Sequence, residues 1–213
     1  MVYGINSRSM TKKIKKRFVN FVNSPLATLR RVSLFLVNKL RYREYHLSCI
    51  VLSPLEVTPA YISLGPDVCI GKLARIEGVT IYNGKRFTPN IIFRQGCTVQ
   101  QGLHLTCANS VVIGKNTAIA AYVTITDIHH PYDDVTLPIE RQDIDVSEVV
   151  IGDDCKIYNG AVITPGVHIG KHVTIGANAV VTCDIPDYSV AVGAPAHVVK
   201  SYNFKTKQWE RSL

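Results

Sequence analysis

The sequence predicts an all-β fold, a parallel β-helix whose short strands form a triangular solenoid, preceded by a mainly helical N-terminal arm. The first observation is that an aliphatic side chain recurs at every sixth position over a long stretch of the C-terminal half. The second is a separation of charge, because residues 1–50 hold 11 of the 24 Lys and Arg residues but a single acid, Glu44. The chain therefore divides into a basic arm, residues 1–50, a β-helix domain, residues 51–200, and a short tail, residues 201–213.

The six-residue repeat is most regular between residues 149 and 181. Its aliphatic positions are Ile151, Ile157, Ile163, Ile169, Ile175 and Val181. Two positions before each of them lies a small or apolar residue, and these are Val149, Cys155, Ala161, Val167, Val173 and Ala179. The same spacing is found upstream in three blocks, namely Leu64, Ile70 and Ile76, then Phe93, Val99 and Leu105, then Ile113, Ile119 and Ile125. Each hexad thus offers two side chains to an interior.

A period of six fits neither an amphipathic helix, whose apolar residues recur at three or four positions, nor an ordinary strand, whose period is two. It fits a short strand followed by a tight corner, and three such sides close a coil of about 18 residues. Glycine, Asn and Asp beside the aliphatics supply the positive φ that such corners can require, as in Gly152-Asp153, Asn159-Gly160 and Gly176-Ala177-Asn178. A β-sandwich also has many short strands, but six registered repeats in a row disfavour it.

The segment from Asp184 to Ala196 reads Asp-Ile-Pro-Asp-Tyr-Ser-Val-Ala-Val-Gly-Ala-Pro-Ala. With this segment and the hexads, residues 55–200 resemble the hexapeptide-repeat acyltransferases, specifically those that O-acetylate polysaccharides and sugars. The resemblance implies a left-handed coil, a homotrimer with active sites between subunits, and acetyl-CoA as co-substrate without a metal. It implies transfer of an acetyl group to a sugar hydroxyl in the biosynthesis of a surface polysaccharide such as O-antigen, capsule or exopolysaccharide. The saccharide acceptor, lipid-linked or free, stays open, as does N-acetylation of an amino sugar.

The longest departure from the repeat, residues 126–148, is a candidate active-site loop. It is polar and acidic and opens with Thr126-Asp127-Ile128-His129-His130-Pro131. Histidine is suited to take a proton from a sugar hydroxyl near neutral pH. By the resemblance, the catalytic base is the histidine that precedes the proline, His130, and His129 is only its neighbour. Asp127 is expected to accept a hydrogen bond from His130 and to fix its tautomer.

The resemblance also assigns residues to acetyl-CoA. A backbone N–H must stabilise the oxyanion that forms on the thioester carbonyl, and by the resemblance the coil after the loop supplies it from Asn159. The residues expected to contact acetyl-CoA are Gly160, Ala177, Thr182, His197 and Lys200. His197 and Lys200 are the candidates for its phosphates, although Cys183 stands where a lysine is common in the family.

The arm carries a basic cluster, Lys12, Lys13, Lys15, Lys16 and Arg17. Ser24-Pro25 resembles a helix N-cap with proline at the first helical position, and a basic amphipathic helix is predicted from Leu26 to Tyr45. Its apolar face is formed by Leu29, Val32, Leu36, Leu40 and Tyr42. Two roles stay open, contact with an anionic membrane or a cap on the open end of the solenoid. Nucleic acid is disfavoured as a partner because the body of the chain has no basic face.

Other classes of protein are disfavoured. No stretch approaches about 20 uncharged apolar residues, and no secretory signal is recognisable. The cytoplasm is therefore the expected location, where the arm could also bind the inner face of the membrane. The six cysteines include no CxxC pair, and Cys97 and Cys155 are predicted to be reduced thiols in the core.

A γ-type carbonic anhydrase, whose zinc is held by three histidines, is the other enzymatic class considered. Its candidate ligands are His104, His129, His130, His168 and His172, but the loop has the acetyltransferase form.

Overall fold

The computed structural model describes residues 25–212, which form a parallel β-helix behind an N-terminal helix, α1 (Pro25–Arg41). The stacked coils build three sheets. Sheet 1 contains β1 (Glu44–Tyr45), β4 (Ile62–Leu64), β9 (Asn90–Phe93), β12 (Ser110–Ile113), β17 (Val149–Ile151) and β20 (His168–Ile169). Sheet 2 contains β2 (Ile50–Val51), β5 (Cys69–Ile70), β10 (Thr98–Val99), β13 (Ala118–Ile119), β18 (Lys156–Ile157), β21 (Thr174–Ile175), β23 (Ser189–Val192), β24 (His197–Asn203) and β25 (Gln208–Arg211). Sheet 3 contains β3 (Glu56–Val57), β6 (Arg75–Gly78), β11 (His104–Cys107), β14 (Thr124–Thr126), β19 (Val162–Ile163) and β22 (Val180–Val181).

Four further strands form two hairpins outside the coils. β7 (Ile81–Tyr82) pairs with β8 (Lys85–Arg86), and β15 (Ile128–His129) pairs with β16 (Asp145–Val146), both antiparallel. Single turns of 3-10 helix occupy Pro59–Tyr61 and Ile139–Arg141. The second hairpin belongs to the predicted active-site loop, which leaves the coil after β14 and returns at β17.

The predicted hexad positions form the core. Every one of the fifteen predicted aliphatic side chains is at most 3% exposed, and so is every small or apolar residue two positions earlier in the C-terminal repeat. Equivalent residues of successive coils lie in register, as in the stack of Ile113, Ile151 and Ile169 in sheet 1. Because full burial of such a side chain contributes about 1.5–3 kcal/mol, this continuous stack holds the coils together. The predicted parallel β-helix is confirmed.

The cysteines at inward positions are buried and unpaired. Cys97 and Cys155 are at most 2% exposed, and all six cysteines of the chain, which lie in the described part, are free thiols. Burial raises the pKa of the Cys97 thiol to about 12, so the thiol stays protonated at neutral pH and packs as a small apolar group. The prediction of reduced core thiols at these two positions is confirmed.

Glycines beside the hexad aliphatics allow the corners of neighbouring coils to approach closely. A Cβ on Gly152 would lie 2.5 Å from the carbonyl oxygen of Gly170, so no side chain fits there. Positive φ falls instead at other corner positions, such as Gly160 at +69° and Asn178 at +55°. The expectation of positive φ is therefore confirmed for the corners Asn159-Gly160 and Gly176-Ala177-Asn178, and it is wrong for Gly152-Asp153, where positive φ falls on Asp154 at +58°.

The solenoid begins earlier than the predicted boundary at residue 51. Helix α1 ends at Arg41, before the predicted end at Tyr45, because β1 pairs in parallel with β4 in sheet 1. Tyr42 and Tyr45 are buried with their ring centroids 5.2 Å apart, and the ring of Phe35 lies 6.5 Å from that of Tyr45. The end of the helix thus packs on the first coil through aromatic contacts.

Between Val32 and Leu40, α1 presents apolar side chains to solvent. Leu40 is 90% exposed and Leu36 is 58% exposed, and Val32 and Val37 are exposed as well. The predicted apolar face through Val32, Leu36 and Leu40 is therefore not the face that packs on the solenoid. The basic cluster at residues 12–17 and the predicted N-cap Ser24 lie outside the described residues. Within residues 25–212, no helix has both the length and the apolar character needed to cross a bilayer.

The C-terminal tail continues sheet 2. Strand β23 pairs in parallel with β21, after which β24 and β25 add two antiparallel strands. Residues 201–211 thus complete a hairpin whose first strand starts within the predicted β-helix domain.

Candidate active site

Two excursions leave the coils at the same edge of sheet 3 and meet outside the solenoid. The hairpin of β7 and β8 follows β6, and the predicted loop 126–148 follows β14, which includes Thr126, so the loop begins at residue 127. The turn Asn83-Gly84 of the hairpin has positive φ at both residues, +46° and +82°, which is the requirement of a type I′ turn. The side-chain amide of Asn83 donates to the carbonyl oxygens of Glu140 and Gln142, at 3.2 and 3.0 Å. The tip of the hairpin is thereby fixed to the loop.

The hairpin also places Tyr82 against His130. The hydroxyl of Tyr82 points at the carbonyl and carboxylate oxygens of Glu140, at 2.9 and 3.0 Å, and lies 3.4 Å from Nδ1 of His130. The two rings meet edge to face with centroids 5.4 Å apart. Partial burial and the neighbouring Glu140 raise the pKa of Tyr82, so its hydroxyl keeps the proton that it donates to Glu140. The oxygen can then accept from Nδ1–H of His130, which is the tautomer with an unprotonated Nε2.

His129 points away from this arrangement. It is exposed, pairs with Asp145 across the small hairpin of the loop, and faces Tyr132 with ring centroids 6.1 Å apart. The structure thus places the two adjacent histidines on different sides of the loop, and only His130 borders a cleft.

Asp127 has a different set of partners from the one expected. Its carboxylate is completely buried and accepts three backbone N–H groups from residues 108–110, at 2.7–2.8 Å. The thiol of Cys107 donates to the same carboxylate at 3.2 Å, and burial together with this negative charge raises the pKa of the thiol. Within residues 25–212 the imidazole of His130 makes its hydrogen bond to Tyr82 and not to Asp127. The expected contact between Asp127 and His130 is therefore wrong, because both carboxylate oxygens are used to fasten the start of the loop to the previous coil.

A cleft of about 370 Å³ opens beside His130. Outward-facing residues of sheet 3 and residues of both excursions line it, namely Arg75, Glu77, Val79, Tyr82, His104, Thr106, Thr124, Thr126, Ile128, His130 and Ile144. Its volume is within the usual range for small-molecule sites, about 300–1,000 Å³. Hydroxyl, carboxylate and imidazole groups predominate on the sheet side, and Val79, Ile128 and Ile144 add an apolar part.

The predicted oxyanion donor lies at the other edge of the same sheet. Asn159 and Gly160 form the corner before β19, whereas His130 follows the end of β14, and these strands run in parallel. In the described part of the chain, the N–H of Asn159 has no acceptor, while its carbonyl accepts from the N–H of Asn178 at 2.9 Å. A single chain therefore presents His130 and the Asn159 N–H on opposite edges of sheet 3.

The residues expected to contact acetyl-CoA fall into two groups. Gly160 and Ala177 stack on successive coils at the corner between sheets 2 and 3, and His197 lies nearby on β24 opposite Val192. Lys200 is further along β24, and Thr182 follows β22 at the edge of sheet 3 where the loop of His130 also leaves. All but the half-buried Gly160 are exposed. Among residues 25–212, no three His, Cys, Asp or Glu side chains are grouped as metal ligands.

Sequence reasoning missed the hairpin and its Tyr82. Phe93 lies 17 positions after the hexad position Ile76, whereas successive hexad positions are six apart, and the insert contains Asn83-Gly84. An Asn-Gly pair between short strands is a strong hairpin signal, so the hairpin could have been found. Its contact with the loop 127–148 could not, because that contact depends on both inserts leaving sheet 3 at one edge.

Part of the chain matches a known family and named relatives. The family described as "Bacterial transferase hexapeptide (six repeats)" matches residues 148–183. Over 129 residues the chain is 36% identical to the protein named "Putative lipopolysaccharide biosynthesis O-acetyl transferase WbbJ" of Escherichia coli K12. That alignment covers 57% of this chain and 66% of the relative, so the chain spans just under two thirds of the relative's length.

Two solved structures share the fold. The hexapeptide-repeat containing acetyltransferase VCA0836 of Vibrio cholerae superimposes with a TM-score of 0.56 at 17% identity, covering 94% of each chain. Galactoside acetyltransferase in complex with coenzyme A superimposes with a TM-score of 0.54 at 22% identity, covering 98% of this chain and 88% of that one. At these identities the likeness shows the fold, which is the left-handed parallel β-helix.

Proposed function

We propose that the protein transfers an acetyl group from acetyl-CoA to a hydroxyl of a sugar, with His130 as general base. The observation that carries the proposal is the position of His130 on the cleft wall. Tyr82 contacts Nδ1 of this histidine, whereas its Nε2 makes no hydrogen bond within the described chain. The likeness to WbbJ, whose name refers to lipopolysaccharide biosynthesis, supports an acceptor that belongs to a surface polysaccharide.

In the proposed reaction, Nε2 of His130 takes the proton of the acceptor hydroxyl while the oxygen attacks the thioester carbonyl carbon. The new C–O bond forms as the carbonyl electrons move to oxygen, which becomes an oxyanion. Collapse of this intermediate breaks the C–S bond, and the proton held by His130 goes to the departing thiolate. The products are an acetyl ester and free CoA, and His130 is again neutral.

The oxyanion needs a preorganised donor, and the N–H of Asn159 has no other acceptor within residues 25–212. Because one subunit presents His130 and Asn159 on opposite edges of sheet 3, the donor comes from a neighbouring subunit of a homotrimer. Acetyl-CoA then follows the corner column of Gly160 and Ala177. Its phosphates lie near the ends of the coils, where His197 and Lys200 are the candidate cations and Thr182 is a further contact.

The experiment is a transferase assay with the purified chain, acetyl-CoA and a panel of free sugars, nucleotide sugars and lipid-linked oligosaccharides. Release of the CoA thiol that depends on a saccharide supports the proposal. Hydroxylamine distinguishes the product, because it cleaves an acetyl ester and leaves an acetamide intact. An amide product would instead assign N-acetylation of an amino sugar, and thiol release without any saccharide would contradict both.

A separate observation supports peripheral binding to the cytoplasmic face of an anionic membrane. Helix α1 exposes Leu36 and Leu40, and its last turn carries Lys39 and Arg41. Apolar side chains next to basic ones are the pattern of helices that lie in a membrane interface. Such binding would bring the enzyme to acceptors assembled on lipid carriers.

A further inference from the structure

The outer face of sheet 3 carries a ladder of polar side chains that leads away from His130. Glu56, Arg75, His104 and Thr124 lie in register on the successive strands β3, β6, β11 and β14. A second row beside it contains Glu77, Thr106 and Thr126. All of these residues except Glu56 line the cleft of His130. The cleft is therefore extended along the solenoid axis.

Arg75 is the centre of this ladder and is held by three neighbours. Its Nε donates to Oε2 of Glu56 at 3.1 Å, its Nη2 forms an ion pair with Glu77, and its Nη1 donates to Nε2 of His104 at 3.1 Å. A guanidinium only donates, so His104 accepts at Nε2 and is neutral in this arrangement. With two carboxylates around one guanidinium, the group carries a net charge of −1.

This charge balance decides which ligands the ladder can hold. A phosphate or uronic acid beside Arg75 would not find a free cation, because the guanidinium is already paired with Glu56 and Glu77. The negative charges of the ligand and of these two carboxylates would repel each other at contact distance. Sugar hydroxyls both donate and accept, so they match the carboxylates, the imidazole and the Thr124 hydroxyl equally well. Bonds to the charged groups are stronger than neutral ones. The ladder thus suits an uncharged saccharide.

The length of the ladder decides how much of a saccharide it can hold. From β14, next to His130, to β6, which carries Arg75, there are two inter-strand spacings, or about 10 Å. This distance exceeds a single sugar ring and corresponds to a disaccharide. A sugar that places its hydroxyl at His130 would leave the Arg75 end of the cleft unfilled.

We propose that this ladder is the acceptor groove for an uncharged oligosaccharide of at least two sugar units. The proposal rests on the proposed function, since it assigns the acceptor of the same site. The sugar to be acetylated lies between His130 and Thr124. The next unit lies over His104 and Arg75, where its hydroxyls bond to the clamped side chains.

The test is a glycan array probed with the labelled full-length protein. The array holds uncharged glycans of one to four sugar units, with counterparts that carry a uronic acid or a phosphate on the second unit. Uncharged glycans of two or more units should bind at least about tenfold more tightly than single sugars, as expected for one or two hydrogen bonds to charged groups. Arg75→Ala and the isosteric Thr124→Val should remove this gain.

Arg94→Ala is the matched control, because Arg94 is an exposed arginine at a corner between sheets 1 and 2. It should bind as the wild type does, and circular dichroism should show that all three variants are folded. Any one of four results would overturn the groove. These are equal binding of single sugars and oligosaccharides, preference for the acidic glycans, no binding of any glycan, and unchanged binding in Arg75→Ala and Thr124→Val.

A transferase assay on the glycans that bind separates this proposal from the proposed function. Acetylation of single sugars with the same kcat/KM as their oligosaccharides would contradict the groove and leave the transferase intact. Length-dependent glycan binding without release of CoA would support the groove and contradict the transferase.

Discussion

The hydroxyl of Tyr82 lies 3.4 Å from Nδ1 of His130, and the two residues are 48 positions apart on separate excursions from the solenoid. The hydroxyl is also directed at Glu140, so a chain of hydrogen bonds runs from the imidazole through the phenol to a carboxylate. In the proposed mechanism this chain holds the proton on Nδ1 and leaves Nε2 to act as the base. Tyr82 is thus a positioning residue in that mechanism.

Tyr82→Phe should lower kcat about tenfold, the cost of the hydrogen bond to His130, and should leave the KM for acetyl-CoA unchanged. Loss of the bonds to Glu140 should lower the free energy of unfolding by only about 1 kcal/mol. Only the hydroxyl is removed, so the packing against the imidazole stays. Tyr132→Phe is the matched control, because Tyr132 makes the equivalent edge contact with His129. Steady-state kinetics and thermal melts check the prediction, and equal kcat values for Tyr82→Phe and wild type would remove Tyr82 from the mechanism.

Asp127→Asn should destabilise the protein by about 2–4 kcal/mol, because an amide nitrogen would then face backbone N–H groups that lose their acceptor inside the structure. The three bonds from residues 108–110 are at stake. Asp133→Asn, an exposed acid of the same loop, should stay within about 0.5 kcal/mol of wild type. Urea unfolding measures both. A stable Asp127→Asn variant with a changed pH profile would restore the orienting role predicted from the sequence.

Most of the fold was predictable because the burial pattern is local. The six hexad aliphatics from Ile151 to Val181 all face inward for the same reason. Each lies on a six-residue side of the coil and is followed directly by a corner. His130 was proposed as the base partly because its loop interrupts a regular repeat. The partners of His130 were not predictable, since Tyr82 reaches it only where two inserts meet in three dimensions, and Asp127 finds its partners in the preceding coil.

A mixed trimer tests the proposal that neighbouring subunits of a homotrimer share the site. A bulky residue in Ala177→Trp should block the acetyl-CoA column, and His130→Ala should remove the base, so each homotrimer should be inactive. If the site lies between subunits, co-assembled chains of the two kinds should regain about a quarter of wild-type activity. In a random cyclic trimer, about one interface in four combines an intact His130 from one chain with an intact Ala177 from its neighbour. Light scattering gives the assembly, and absence of any recovery in confirmed mixed trimers would place the whole site in one chain.

The exposed face of α1 predicts binding to acidic vesicles. Leu36→Glu with Leu40→Glu should abolish co-sedimentation with phosphatidylglycerol vesicles, whereas Leu55→Glu, at another exposed leucine, should not. Deletion of residues 1–22 should also release the protein, at about 1 kcal/mol per basic residue near the surface, and added salt should weaken binding. Equal pelleting of all forms, or loss of folding on truncation, would favour a cap on the solenoid over a membrane contact.

The most direct test of the central claim is the release of CoA thiol by His130→Ala in the presence of a saccharide that the wild type acetylates. The account predicts that turnover falls at least about 100-fold, the usual contribution of a general base, with acetyl-CoA affinity and the oligomeric state unchanged. His129→Ala should retain near wild-type turnover, because its side chain faces Tyr132 on the other side of the loop. Loss of activity in His129→Ala with full activity in His130→Ala would contradict the account.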